Sequence, residues 1–340
     1  MSLRDHPTLK KVLIWLGIII GLPLIIFLVF SQISPAAQPP YTYGVTFRYP
    51  YAQVLKLDWH DVYQRLFSEL HIDHVRIPVY WDRVEKIPGH YEFGDLDYQV
   101  HIAQARGAKI ILAVGRRVPG WPECYTPDWA AKLSFAEQQQ HLLAEITQVV
   151  NRYKDDPALE YWQVENEPFL TSFGICPKFD VATALDQEIA LVKQLDPHHK
   201  IVVTDSGELS TWVPAARRAD VFGSTLYRRV YTEKLNRYIN YHLPPEFFRA
   251  KMTLVHLFRR SIPIINIELQ AEPWTPGLDM TSFETQAITY PVDSLVANVN
   301  FAHQSGFSTT YLWGVEYWYW AAAHGHPEFL QEAKTLLLNQ

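Results

Sequence analysis

Between Tyr43 and Trp313 the chain repeats one rhythm eight times: a short apolar run, then a longer stretch that ends in the next run. The runs are YGVTF (43–47), HVRIPV (74–79), KIILAV (109–114), LEYWQVE (159–165), KIVVT (200–204), DVFGSTL (220–226), PIINI (263–267) and STTYLW (308–313). Stretches such as WHDVYQRLFSEL, SFAEQQQHLLAEITQVVNRY, VATALDQEIALVKQL and PVDSLVANVNFAHQSG lie between them, with apolar residues near i, i+3, i+4 and i+7, the spacing of a helix with one buried face. PEFLQEAKTLLL supplies a last helix. Eight alternations predict a (β/α)₈ TIM barrel rather than an open sheet. A doubly wound sheet needs a glycine-rich phosphate turn after its first strand, and TFRYPYAQ has none. No internal repeat or Gly-rich linker divides residues 42–340, so they are expected to form one domain. With 48% hydrophobic residues, the chain has ample material for its core.

The N-terminus follows a different pattern. VLIWLGIIIGLPLIIFLVF, Val12 to Phe30, carries no charge and has about the length that crosses a bilayer. Arg4, Lys10 and Lys11 precede it, and the uncharged SQISPAAQPPY follows. The positive-inside rule then predicts a cytoplasmic segment 1–11, a transmembrane signal anchor 12–30, a linker 31–41 and an extracytoplasmic domain 42–340 tethered to the cell membrane. Cleavage near Ser34-Pro35-Ala36-Ala37, which would give a secreted protein, is the alternative, although a signal peptide's apolar core should be shorter. Export would let Cys124 and Cys176 pair, and the sequence leaves a disulfide and two free thiols both open. A net charge of −6 gives no basic footprint for nucleic acid.

In a barrel of this kind, function is built at the C-terminal ends of the strands. Those ends carry Arg76, Tyr80 and Trp81; Arg116, Arg117 and Trp121; Asn166 and Glu167; Asp205; Tyr227; Glu268; and Trp313 with Glu316. Paired carboxyls among aromatics suit glycoside hydrolysis, which needs two carboxyl groups flanking the bond and flat faces for sugar rings. Neither HExxH, GxSxG nor a phosphate-binding GxxxxGK[ST] occurs, so no metal or cofactor is expected.

The NEP that ends the fourth run and the IELQAEPW that ends the seventh resemble the acid/base and nucleophile signatures of retaining glycoside hydrolases of clan A, the cellulase-like barrels. RIPVYWDRVEKIPGHYEFGDLDYQVHIAQARGAKIILAVG resembles the clan's second-to-third-strand region. The resemblance implies that Glu167 is the general acid/base and Glu268 the nucleophile, acting on an oligo- or polysaccharide. It further implies that Asn166 bonds the sugar 2-hydroxyl, that Arg76 lies under the nucleophile and keeps it ionised, that Tyr227 hydrogen-bonds it, and that Trp313 floors the subsite of the cut sugar. Glu165 has no counterpart in that pattern and reads as a charge tied to a neighbouring strand. Glu272 competes with Glu268 but sits in a loop. Trp81, Trp121, Trp274, Trp318 and Trp320 are candidates for stacking further sugars, and Asp205 and Arg116 for binding hydroxyls. A catalytically silent barrel that only binds glycans is the alternative from another functional class.

Overall fold

The computed structural model describes residues 7–177, 180–232, 235–275 and 282–338. Its centre is a closed barrel of eight parallel strands: β1 (Thr42–Thr46), β2 (His74–Pro78), β3 (Lys109–Val114), β4 (Leu159–Val164), β5 (Lys200–Asp205), β6 (Val221–Leu226), β9 (Ile264–Gln270) and β10 (Thr309–Trp313). Between β6 and β9 the chain adds an antiparallel hairpin, β7 (Arg229–Thr232) with β8 (Arg237–Asn240). Each barrel strand overlaps one predicted run, and β1 pairs with β10 to close the ring. Inside the ring Ile111, Val202, Val221, Ile265, Ile267 and Tyr311 pack together as a plug. Outside, apolar helix faces cover the strands in a second, larger core that includes Leu142, Ile146, Val149 and Val150 of the helix Phe135–Tyr153. Ser134 caps that helix by accepting from the Glu137 backbone while the Glu137 carboxylate reaches back to Ser134, a reciprocal capping box.

The N-terminal expectation fares differently. A helix does run from Pro7 to Ile33, through Pro23, but among the described residues no helix is long and apolar enough to cross a membrane. A spanning helix over 12–30 is thus not supported, and Arg4 lies outside the described residues. Instead the end of this helix is committed to the barrel. The Phe30 and Ser31 carbonyls accept from Thr253 and Arg249 of the helix Pro245–Phe258, and Ser34 bonds Thr253. Nearer its start Val12, Trp15 and Ile19 stand exposed, as do Leu22, Leu24 and Ile25 further on.

The two cysteines are joined. Cys124 follows β3 and Cys176 follows β4, neighbouring strands whose loops share the same end of the barrel, and the bridge spans 52 residues. In the chain-entropy view a loop of that length stabilises the fold by about 3 to 4 kcal/mol. Replacing both cysteines with serine should therefore lower the unfolding free energy measured in urea by a corresponding amount, with a larger m-value from the more expanded unfolded chain, and titration of the unreduced wild type should find no free thiol.

Candidate active site

Arg76 is the hub at the top of the barrel interior. It is fully buried, and its guanidinium donates to five acceptors on or just beyond the strands: Nε to Gln163 at 2.7 Å, Nη1 to the Glu268 carboxylate at 2.6 Å, to the Ile267 carbonyl at 3.4 Å and to Thr46 at 3.5 Å, and Nη2 to the Asn166 side-chain oxygen at 2.7 Å. Strands β1, β4 and β9 and the turn after β4 deliver these acceptors to Arg76 on β2, and on β9 a register irregularity against β6 lets Ile267 and the next residue, Glu268, both face inward. Glu268 receives a second donor, the Tyr227 hydroxyl, at 2.9 Å on its other oxygen. Glu268 is thus the buried anion of an ion pair, with both oxygens bonded.

Glu167 sits in the opposite environment. It is buried, and the polar contacts that hold it are neutral ones: Thr225 donates to its carboxyl at 3.0 Å, and its backbone N–H bonds the Thr204 hydroxyl. Burial, then the nearby charges of Glu268 and Glu123, hold its pKa well above the usual carboxylate range, against the weaker opposing pull of Arg117. One carboxyl is therefore paired with a buried cation and the other set among groups that disfavour its charge, the kind of contrast that acid–nucleophile chemistry uses.

Glu165 points the other way. Its oxygens accept the Arg116 and Arg117 backbone N–H groups at 2.7 and 2.9 Å, and its carboxyl hydrogen-bonds Glu188 of the helix Val181–Leu195. Gly115 makes this possible: at φ +123° a Cβ there would stand 2.6 Å from a Glu165 oxygen. Glu165 is tied to the outer face of β3 and β4, as its lack of a counterpart suggested.

The remaining predicted residues separate. Asn166 joins the pair of glutamates through Arg76. Trp313 lies at the site's edge with the Arg48 guanidinium 4.0 Å from its ring centre. Arg48, absent from the sequence reading, bonds Glu272 at 3.0 Å and Glu316 at 2.8 Å, so Glu272 belongs to a buried charge cluster and is not a rival nucleophile. Trp81 does not line the cleft. It opens the short helix Trp81–Val84, is fully buried, and its indole donates to Glu85, so it offers no face to a sugar. Trp318 is likewise fully buried. Arg116 is turned away, against Gln138 and the ring of Phe135, and Asp205 bonds the backbone of Ser206. Trp121 and Trp274 fare better: with Phe173 they form a row, Trp121–Phe173 at 5.8 Å, Phe173–Trp274 at 5.5 Å and Trp274–Tyr227 at 5.0 Å, leading from an exposed rim to the Glu268 partner. No cluster of three or more metal-ligating side chains occurs among the described residues.

The profile of the cellulase family, glycosyl hydrolase family 5, matches residues 53–244, more than half of the chain. The chain belongs to this family. The matched part of the family 5 domain carries Arg76, Asn166, Glu167 and Tyr227 and ends before β9. Over 121 residues, 33% of the chain, it is 30% identical to a probable mannan endo-1,4-β-mannosidase F of Aspergillus flavus, and 27% identical to the mannan endo-1,4-β-mannosidase F of Aspergillus fumigatus over a stretch of the same length. The chain spans about a quarter of the length of these relatives. Among solved structures, a β-galactosidase from Bacillus circulans aligns over 91% of the chain and 56% of its own at 13% identity and TM-score 0.58. The GH5_18 protein of Streptomyces cattleya, crystallised with GlcNAc, covers 82% of the chain and 71% of its own at 14% identity and TM-score 0.55. At such identities these two share the fold.

The Glu165–Glu188 pair yields a stability prediction. Desolvation raises both pKa values above those of the unfolded chain, Glu188 further by the charge of Glu165. The folded state then holds protons that the unfolded state releases, so the pair's contribution is present below the ordinary carboxylate range and lost as pH rises through the raised values. The melting temperature of wild type should fall as pH climbs above the ordinary carboxylate range, and Glu188→Gln should flatten that fall.

Proposed function

We propose that this family 5 barrel is a retaining β-glycoside hydrolase acting on an oligo- or polysaccharide. The observation that carries the reading is the contrast between the two inward carboxyls, Glu268 in its ion pair with Arg76 and Glu167 held protonated by burial and neighbouring charge. In the first step the Glu268 carboxylate attacks the anomeric carbon while Glu167 passes its proton to the departing oxygen, giving a glycosyl-enzyme ester and a free alcohol. In the second, Glu167, now a carboxylate, takes a proton from water as that water attacks the anomeric carbon, and Glu268 leaves as the carboxylate it began as. Asn166, fixed by Arg76, is positioned to meet the sugar's 2-hydroxyl, Trp313 to stack beneath the cut ring, and the Trp121–Phe173–Trp274 row to carry further sugars.

We further propose that the helix Pro7–Ile33 attaches the enzyme to a membrane with the barrel outside the cytoplasm. The run of exposed apolar side chains along it, preceded by Lys10 and Lys11, supports this. Full-length protein should then stay with membranes after a carbonate wash. Release into the wash, or a mature chain beginning near Ala37, would overturn it.

Glu268→Ala should lower hydrolysis of an aryl β-glycoside by about 10⁴-fold or more. Glu167→Ala should cost about 10²- to 10⁴-fold on poor leaving groups and far less where the leaving group needs no proton. Proton NMR of the first-formed product should show the anomeric configuration of the substrate. Net inversion would overturn the mechanism, and full binding of glycans with no turnover by wild type would favour the silent barrel.

A further inference from the structure

A third carboxyl stands beside the two glutamates. Glu123 lies in the loop after β3, is 4% exposed, and has a left-handed backbone at φ 77°. Few non-glycine residues adopt that conformation unless their surroundings impose it. Here several contacts do. Its N–H bonds the Gly120 carbonyl, its carbonyl accepts from Val118, and the next residue, Cys124, is bridged to Cys176. Gly174, at φ +84°, lets the loop after β4 close on it: a Cβ there would come within 2.9 Å of the Glu123 Cβ and Cγ. The disulfide therefore clamps two loops around one carboxyl.

That carboxyl points at the site. One of its oxygens accepts from Asn166 Nδ2 at 3.1 Å and from Arg117 Nε at 3.3 Å. The Asn166 amide is thereby fixed at both ends, its oxygen by Arg76 and one N–H by Glu123, leaving the second N–H for substrate. We propose that Glu123 is a positioning residue of this site, which orients the Asn166 amide and through its charge holds the proton on Glu167. The inference rests on the acid/base reading of Glu167.

The charged neighbours decide the sign. Glu123 is faced by Arg117 and Tyr125 from its own loop, Arg76 from β2, Glu268 from β9, and Asn166 and Glu167 from the end of β4. Glu167 is faced in addition by Thr225 and by Tyr227 and Tyr241, which are neutral at working pH. Burial, with the charge of Glu268 adding to it, pushes Glu123 itself up to about 7 against the opposing pull of Arg117 and Arg76. As pH rises past neutrality Glu123 becomes charged, and that charge makes loss of the Glu167 proton harder. Arg117 pulls in the opposite direction, so removing the Glu123 charge also frees Arg117 to favour ionised Glu167. Both effects move the alkaline limit of activity downward.

The test is the pH profile of kcat/KM for full-length enzyme on an aryl β-glycoside with a poor leaving group, where the alkaline limb reports the Glu167 proton. Glu123→Gln, which keeps an oxygen for Asn166 but carries no charge, should move that limb down by roughly one pH unit. The shorter pair Glu123→Asp and Glu123→Asn gives the same comparison should Glu123→Gln fold poorly: the limb of the charged variant should lie above that of the neutral one. A fall in rate with the limb unmoved in both comparisons would make Glu123 a structural brace and overturn the proposal. Glu167→Ala separates this failure from failure of the underlying reading. If that variant keeps the wild-type alkaline limb, Glu167 is not the acid, whatever Glu123 does.

Discussion

The top of this barrel is organised around one buried guanidinium. Arg76 is sealed from solvent, yet each of its three guanidinium nitrogens finds an acceptor, and those acceptors come from β1, β9 and the end of β4. A buried cation is tolerable only with its anion and its hydrogen bonds in place, and removing one partner typically costs about 3 to 5 kcal/mol. The same requirement fixes the registers of β1, β2, β4 and β9, because slipping any of them by one residue would turn its acceptor to the other face. Glu268 and Asn166 are therefore located by electrostatics as much as by the strands that carry them.

The pair of glutamates is then separated by environment alone, for both are buried and both lie at the C-terminal side of the barrel strands. Glu268 is given a cation and a phenol. Glu167 is given hydroxyls and two neighbouring carboxyls, and a group surrounded in that way keeps its proton. Side-chain chemistry cannot distinguish them, whereas their contacts can. The disulfide contributes to that environment, since it holds the loop that brings Glu123 within reach of Asn166.

Much of this was legible in the sequence because strand ends in a barrel are close in space however far apart they lie in the chain. The eight runs became the eight barrel strands, and Arg76, Asn166, Glu167, Tyr227 and Glu268 converge as strand-end residues should. Trp81 shows the limit of that logic. It follows β2 directly, but the short helix it begins swings the indole against Trp129 and Glu85 and away from the cleft. Arg48, Glu123 and Phe173 were missed for the converse reason. They sit in loops whose path is set by contacts made elsewhere, a disulfide in one case and the Glu272–Glu316 pair in another, and periodicity carries no trace of those. The β7–β8 hairpin has no counterpart among the eight apolar runs. Its strands are four residues each, half-exposed and lacking an Asn-Gly turn, and what fixes them is Gln270, which bonds the backbone of Arg228 and Arg229 from the end of β9.

The backbone between Glu165 and Glu167 shows how the site's strain is sustained. Both residues have positive φ, 60° and 42°, a conformation that costs of order 1 kcal/mol or more apiece for a side chain with a Cβ. An extended strand would send residues 165 and 167 to the same face. The two left-handed residues break that alternation, so Glu165 turns outward to Glu188 while Glu167 turns inward toward Glu268. The strain is offset on the outer side, where Glu165 gathers the Arg116 and Arg117 amides and Asn166 donates its own N–H to the Arg117 carbonyl. Glu165 thus takes no part in the proposed chemistry, yet its bonds to the β3 loop are what make the inward turn of Glu167 sustainable.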